Sequence, residues 1–382
     1  MPPFDTLFVA DRGETALRIV RTCHDLGIRS VLGHADVDAD SPAVRLADRS
    51  FCLGPAQPAH SYLNIPAVLY GCAATGAQAV HPGLGPLAQD PLLAQSCLDA
   101  GLAFVGPRPG HLALLGDAAA TASAMRSAGL PVPPDHGRGT RAGAPEHRTF
   151  PARHVAVQVI ADTRGSVVHL GDRCCSAWSG GREVFEEAPA PGISERLRGR
   201  LHRAALRGAR AVGLVNAATF EFLVTGADEF SFACATPRLQ AGHPLTEAVT
   251  GVDLVEWMVR VAAGEPLGFE QGDVRVTGHA VAARITARAP APGRAEEPHL
   301  PGGPGVRVST HRRPAGSADD PLTVEVVATG PTRAVAVRRM GRALAELDRA
   351  AATDVSTQRR VLADPGFQAG RGPVRALTGR AT

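Results

Sequence analysis

The sequence predicts an α/β protein that becomes α+β in its middle, and three observations carry that expectation. Short apolar runs alternate with helical patterns over the first hundred residues. Alternating apolar and polar stretches follow at 153–160, 219–223 and 229–233, and further strand and helix signals close the chain beyond residue 275. In the first region, residues 7–10 read as a strand. The turn Asp11-Arg12-Gly13-Glu14 then opens a helix with Leu17, Val20 and Cys23 on one face, ending near Gly27. Residues 30–32, 78–80 and 102–105 read as further strands, separated by helices around 61–72 and 91–100, which together make a doubly wound parallel sheet. A helix over 118–127 leads into 135–151, a stretch rich in Gly, Arg, Pro and His that has no period and reads as a loop. The strand 153–160 turns through Asp162-Thr163-Arg164-Gly165 into 166–170, a hairpin. A helix over 194–212, the strand pair 219–223 and 229–233, and a helix over 253–263 follow. Strands at 278–285 and 322–327 and an amphipathic helix over 332–347 form the last module. The expected domains are 1–114, 115–275 and 276–375.

Composition narrows the function classes. A chain of 382 residues that is 44% hydrophobic can bury large cores and divide into two or three domains. No apolar run approaches the roughly 20 residues of a membrane span, and Met1-Pro2-Pro3-Phe4-Asp5 lacks the start of a signal peptide. A soluble, cytoplasmic protein without membrane contact is expected. Seven cysteines without a C-x-x-C spacing read as reduced thiols, the adjacent Cys174 and Cys175 among them, rather than as a disulfide or zinc framework. A net charge of +3 with only 2 Trp and 2 Tyr gives no footprint for nucleic acid. All 40 basic residues are arginine. On an open surface arginine and lysine are often interchangeable, but at a reactive position a rigid fork does not replace a mobile point charge.

Several segments carry a likeness longer than a single motif. Ala10-Asp11-Arg12-Gly13-Glu14-Thr15-Ala16-Leu17-Arg18-Ile19 is similar to the pattern A-N-R-G-E-I-A-L-R-I, and Ser61-Tyr62-Leu63-Asn64-Ile65-Pro66 and Val105-Gly106-Pro107-Arg108-Pro109 match in turn. Thr219-Phe220-Glu221-Phe222-Leu223 matches T-F-E-F-L. Residues 232–247 follow F-I-E-M-N-x-R-x-Q-V-E-H-P-V-T-E, keeping Arg238, Gln240, His243 and Glu247 but with Cys234, Thr236 and Gly242 in place of Glu, Asn and Glu. These patterns resemble the biotin carboxylases, ATP-grasp ligases that carboxylate biotin, over residues 4 to about 370. The resemblance implies a doubly wound N-terminal domain, a central ATP-grasp-like domain reduced by loss of its lid to the loop 135–151, and a biotin carboxylase-like C-terminal module. The implied cofactors are ATP, magnesium and biotin. The implied partners are carboxylase subunits or a biotin carrier protein, with a second copy of the chain making a dimer.

The resemblance also assigns roles. Glu221 would be the magnesium carboxylate, with Cys234, a soft ligand that magnesium disfavours, at its partner's place. His154, Glu221 and Leu223 would face the nucleotide, Arg238 and Gln240 would grip bicarbonate and the biotin oxygen, and Arg307 would meet biotin. The general base position is Gly242, which accepts no proton. The lysines of the family fall at Ala118 and at Glu183, or at Arg182 if the segment 179–183 is matched one residue earlier, and the segment with the lid lysine has no counterpart. His81-Pro82-Gly83-Leu84-Gly85-Pro86 keeps the turn glycines of H-P-G-Y-G-F but not its aromatics, and Ala282 stands where the family has Glu. Two functions are therefore carried: a catalytically impaired scaffold or regulatory paralogue in an acyl-CoA carboxylase system, and a divergent ligase that still carboxylates biotin or a related acceptor.

Overall fold

The chain was analysed as a computed structural model that describes residues 4–134, 153–179, 182–287, 300–311, 322–348, 355–371 and 374–375. The expected loop at 135–151 lies outside the described residues.

The strand β1 (Thr6–Val9) is apolar on both faces, and each face meets a different core. Leu7 and Val9 pack with Ile19, Val20 and Leu32, whereas Phe8 packs with Val31, Val68 and Leu93. A strand buried on both sides needs helices on both sides, which is the doubly wound arrangement. It is followed by α1 (Gly13–Asp25), β2 (Arg29–Ala35), α2 (Pro42–Leu46), β3 (Arg49–Gly54), α3 (Ile65–Thr75), β4 (Ala79–His81), α4 (Pro91–Asp99) and β5 (Ala103–Phe104). The strands run parallel in the order β3-β2-β1-β4-β5. Asn64 and Asp90 cap α3 and α4 with their side chains, and Gly76, at φ 71°, ends α3 in the left-handed conformation that glycine tolerates. Strand β3 was not expected, because it is a sheet edge whose residues are mostly exposed and do not alternate.

Helices α5 (Pro109–Gly116) and α6 (Ala118–Ser127) lead to the second sheet. Its elements are β6 (Arg153–Ala161), β7 (Val167–Ser179), β8 (Arg182–Ala188), α7 (Glu195–Ala211), β9 (Asn216–Val224), β10 (Phe230–Thr236), α8 (His243–Thr250), α9 (Leu254–Ala262), β11 (His279–Ala287), β12 (Val306–His311), β13 (Leu322–Gly330), α10 (Arg333–Asp348), α11 (Val355–Ala363), α12 (Pro365–Gln368) and β14 (Val374–Arg375). The order is β10-β9-β6-β7-β8-β11-β13-β12, with β14 parallel to β7. Pairing of β8 with β11, Phe185 opposite Ala283 and Ala188 opposite Ala280, joins the central and C-terminal strands into one sheet. Helix α7 covers one part of it with Leu197, Leu201, Ala204, Ala205 and Ala209 against Phe220 and Phe222. Helix α10 covers another with Ala336, Met340 and Leu344 against Val281 and Val326.

The β8–β11 junction is fastened by a buried ion cluster. Glu187, with no exposed surface, accepts from His279 Nε2 at 2.9 Å and from Arg333 Nε at 2.7 Å and Nη2 at 3.0 Å. Burial pushes this carboxyl up, and the His279 and Arg333 hydrogen bonds outweigh it to hold the group below its ordinary range. Arg333 also donates to the carbonyls of Phe367 and Gln368, so the same guanidinium anchors α12.

Candidate functional site

The cleft is bounded by the ends of β1 and β4 on one side and by β9, β10 and α8 on the other. Asp11 follows β1, and its two carboxylate oxygens accept from the backbone N–H groups of Arg12 and Leu84, each at 2.8 Å. A Cβ on Gly83 would lie 1.8 Å from Asp11 Oδ2, and Gly83 has φ +69°, so the turn after β4 requires glycine on both counts. Burial under this turn raises the Asp11 pKa to about 6, against the lowering effect of those two N–H bonds and of Arg12 and Arg238.

On the opposite wall, a register shift in β10 between Phe232 and Cys234 sets Cys234 directly across from Glu221 on β9. Bulges of this kind re-aim side chains. Glu221 Oε1 accepts from Gln240 Nε2 at 2.7 Å and from Thr236 Oγ1 at 3.3 Å, and Oε2 lies 3.4 Å from His154 Nε2. Leu223 is paired with His154 across β9 and β6. Burial, reinforced by the adjacent Glu221 charge, pushes the Cys234 thiol well above its ordinary pKa, so it is neutral. A neutral thiol beside a single carboxylate is a poorer seat for magnesium than a pair of ionised oxygen ligands beside phosphate and water. Among the described residues no group of three His, Cys, Asp or Glu is arranged to hold a metal.

Arg238 enters from the loop after β10. Its Nη1 donates to the Leu239 carbonyl at 2.8 Å, while its buried Nε makes no hydrogen bond. Burial lowers this guanidinium's pKa, and the charges of Glu221 and Asp11 oppose that. Gln240 holds the centre, because its oxygen accepts from Arg173 Nη2 at 2.8 Å while its amide donates to Glu221.

Arg173, which sequence reasoning missed, has no exposed surface. From β7 it donates Nε to Glu186 Oε1 at 3.0 Å, and Nη1 to Gln158 Oε1 at 3.1 Å and Thr246 Oγ1 at 2.8 Å, besides the bond to Gln240. A hydrogen-bonded chain therefore runs from Glu186 through Arg173 and Gln240 to Glu221. Its far end occupies the base position: a Cβ on Gly242 would lie 2.2 and 2.4 Å from the two carboxylate oxygens of Glu186. The carboxylate of β8 stands in the space that a side chain at 242 would take.

His243, at the start of α8, donates from Nδ1 to the Gln240 carbonyl at 2.9 Å. Burial lowers its pKa to about 3, leaving a neutral ring whose Nε2 is unpartnered. Glu247, one turn on, gathers the walls. Arg18 of α1 lies 3.2 Å from its carboxylate, Arg307 of β12 3.7 Å, and the Leu254 N–H 3.2 Å. Arg307 is half exposed, so it reaches the cleft mouth rather than its floor. Ala118 opens α6, where the Asp117 side chain caps Ala119 and Ala120. The Glu183 side chain, like the lid position, lies outside what is described. The structure thus brings together His154, Glu221, Cys234, Arg238, Gln240 and Gly242, with Leu223 beside them on β9, and sets Arg307 apart at the rim.

Two outcomes are expected from this geometry. Arg173→Ala leaves Glu186 and Gln240 buried without their donor and should destabilise the fold by about 3–5 kcal/mol, measured by urea unfolding; Arg173→Lys should recover only part, since one ammonium cannot span four acceptors. The Asp11 pKa of about 6 lies above the ordinary 3.8. The folded chain therefore binds this proton more tightly, a stabilisation complete below about pH 4 and lost as the pH rises through 6. Urea unfolding at pH 4.5, 6 and 7.5 should show the wild type losing roughly 2 kcal/mol more than Asp11→Asn across that window.

Comparisons with known proteins agree with this architecture. The chain matches "Biotin carboxylase, N-terminal domain" at residues 3–112, "Carbamoyl-phosphate synthase L chain, ATP binding domain" at 148–270 and "Biotin carboxylase C-terminal domain" at 275–378. The biotin carboxylase of Allochromatium vinosum is 34% identical, covering 98% of each chain over 439 aligned positions; because that exceeds the 382 residues here, the relative carries residues with no counterpart in this chain. The crystal structure of the biotin carboxylase-β-γ-ATP complex from Campylobacter jejuni superposes with a TM-score of 0.89 at 28% identity over 96% of each chain. The biotin carboxylase domain dimer of the Hydrogenobacter thermophilus 2-oxoglutarate carboxylase, bound to MgADP, ADP and bicarbonate, superposes with a TM-score of 0.88 at 28% identity, over 96% of this chain and 95% of that one. With three domains matched in order and full-length relatives a third identical, this chain belongs to the biotin carboxylase family.

Proposed function

We propose that this protein is a non-carboxylating member of a biotin-dependent carboxylase system, acting as a scaffold or regulatory subunit for catalytic subunits or a biotin carrier protein. The observation that carries this reading is the Glu221–Cys234 pair, where a neutral, half-buried thiol faces a carboxylate whose oxygens are engaged by Gln240, Thr236 and His154. With one ionised oxygen ligand in place of two, this wall offers Mg-ATP a weakened magnesium seat that rests on Glu221, phosphate and water alone. Ala118 and Gly242 remove a phosphate cation and the positioned base, and loss of a base alone costs about 10²–10⁴ in rate.

A second reading, a divergent ligase, is favoured by one observation: the Glu186 carboxylate stands where a base side chain at 242 would begin. In that reading Glu186 would take the bicarbonate proton.

The two separate by assay. We expect no bicarbonate-stimulated, biotin-dependent ATP hydrolysis above a buffer blank and no calorimetric heat with Mg-ATP. Gly242→Glu should restore nothing, since its Cβ would meet Glu186 at 2.2 Å. Turnover that disappears in Glu186→Gln would overturn the scaffold reading and establish the ligase.

The partner claim has its own test. Dimerisation is a property of the Hydrogenobacter relative, and we extend it to this chain or to a mixed complex with carboxylase subunits. Size-exclusion chromatography with light scattering after co-expression should show a dimer or a mixed complex. A strict monomer that leaves the activity of those subunits unchanged counts against the proposal.

A further inference from the structure

Helix α7 is amphipathic in an uncommon way. Its inner face is the apolar row built on Leu197, Leu201 and Ala205, and its outer face is a single line of Arg196, Arg200, Arg203, Arg207 and Arg210. Spacings of four, three, four and three hold all five within an arc of roughly 80° on a helix of 3.6 residues per turn, over about 21 Å of axis. Four of them are exposed and Arg200 is partly so.

Like charges three and four residues apart repel, and the helix supplies little to offset this. Its one acid, Glu195, pairs off the line with Arg198. Among the described residues, Asp228 is the acid that meets the row, 3.6 Å from Arg196, and its backbone carbonyl accepts from Arg200. Arg207 reaches the Gly129 carbonyl at 3.5 Å, and Arg203 and Arg210 meet no acid among the described residues. The whole chain carries only +3, so this density of unpaired positive charge is local.

We infer that the outer face of α7 is a docking surface for an acidic polypeptide segment. Planar guanidinium forks are suited to carboxylates, which they grip in pairs. A straight 21 Å row fits acidic side chains repeating every three to four residues along a helix of about four turns. The other polyanions fit less well. No large apolar side chain is exposed on α7, since such residues stand elsewhere, as at Leu63, Tyr70, Leu92 and Leu98. A bilayer would therefore find nothing to insert and unstacked bases no ring to stack on, apart from Phe230, which is already covered by Arg200 at 5.1 Å. This surface is independent of whether the cleft turns over.

The test uses the full chain and a fluorescent twenty-residue oligoglutamate, read by anisotropy. Binding is expected at 50 mM NaCl and should be lost at 500 mM. It should weaken at least tenfold in Arg203→Gln/Arg207→Gln/Arg210→Gln, and be kept in the corresponding lysine triple. Removing the same charge at exposed Arg21, Arg29 and Arg45 should leave it unchanged. Absence of binding, equal loss in both glutamine triples, or no loss in either would overturn the proposal. So would a twenty-nucleotide single-stranded DNA or a vesicle of anionic lipid that outcompetes the oligoglutamate at this face, because each would assign the row to a different macromolecule.

Discussion

The buried guanidinium of Arg173 is the interaction on which the cleft depends. Moving such a cation out of water costs several kcal/mol, and here the cost is met by four hydrogen bonds from its planar fork. Its acceptors lie on four different segments: Gln158 on β6, Glu186 on β8, Gln240 in the loop after β10 and Thr246 on α8. One side chain thereby fixes the spacing of two central strands, the polar loop and the helix behind it. A lysine could not do this, since an ammonium lacks the flat, divergent donor set.

That arrangement decides what the cleft can do. Gln240 spends its oxygen on Arg173 and its amide on Glu221, and Glu221 takes further contacts from Thr236 and His154, so the polar groups of this wall satisfy one another. The Cys234 thiol adds no charge because burial and the neighbouring carboxylate keep it protonated. Two polar atoms beside this network, the Nε of Arg238 and the Nε2 of His243, are buried without a hydrogen bond.

Two ion clusters hold the surrounding walls. Glu187, between His279 and Arg333, pins β8, β11, α10 and α12 together at the sheet junction. Glu247, between Arg18 and Arg307, connects α8 to α1 and to β12, and so ties the N-terminal unit to the far end of the long sheet. Burial raises the Glu247 pKa while the two arginines lower it.

The doubly wound sheet, the 153–170 hairpin, the 219–233 strand pair and the helices at α7, α9 and α10 were legible in the sequence, because each states its own period or cap locally. The candidate site was legible as positions: Glu221, Cys234, Arg238, Gln240 and Gly242 occur in one stretch whose spacing is preserved. Strand β8 was not legible, since successive Glu186 and Glu187 disguise it, and only His279 and Arg333, far along the chain, make a buried Glu187 tolerable. Arg173 was hidden for the same reason, because a charged residue is fully buried only when paired, and its partners at 158, 186, 240 and 246 are assembled by the sheet. That Glu186 fills the space over Gly242, and that Arg307 stays at the rim, were decided by tertiary packing: both depend on distances between segments that no local pattern encodes.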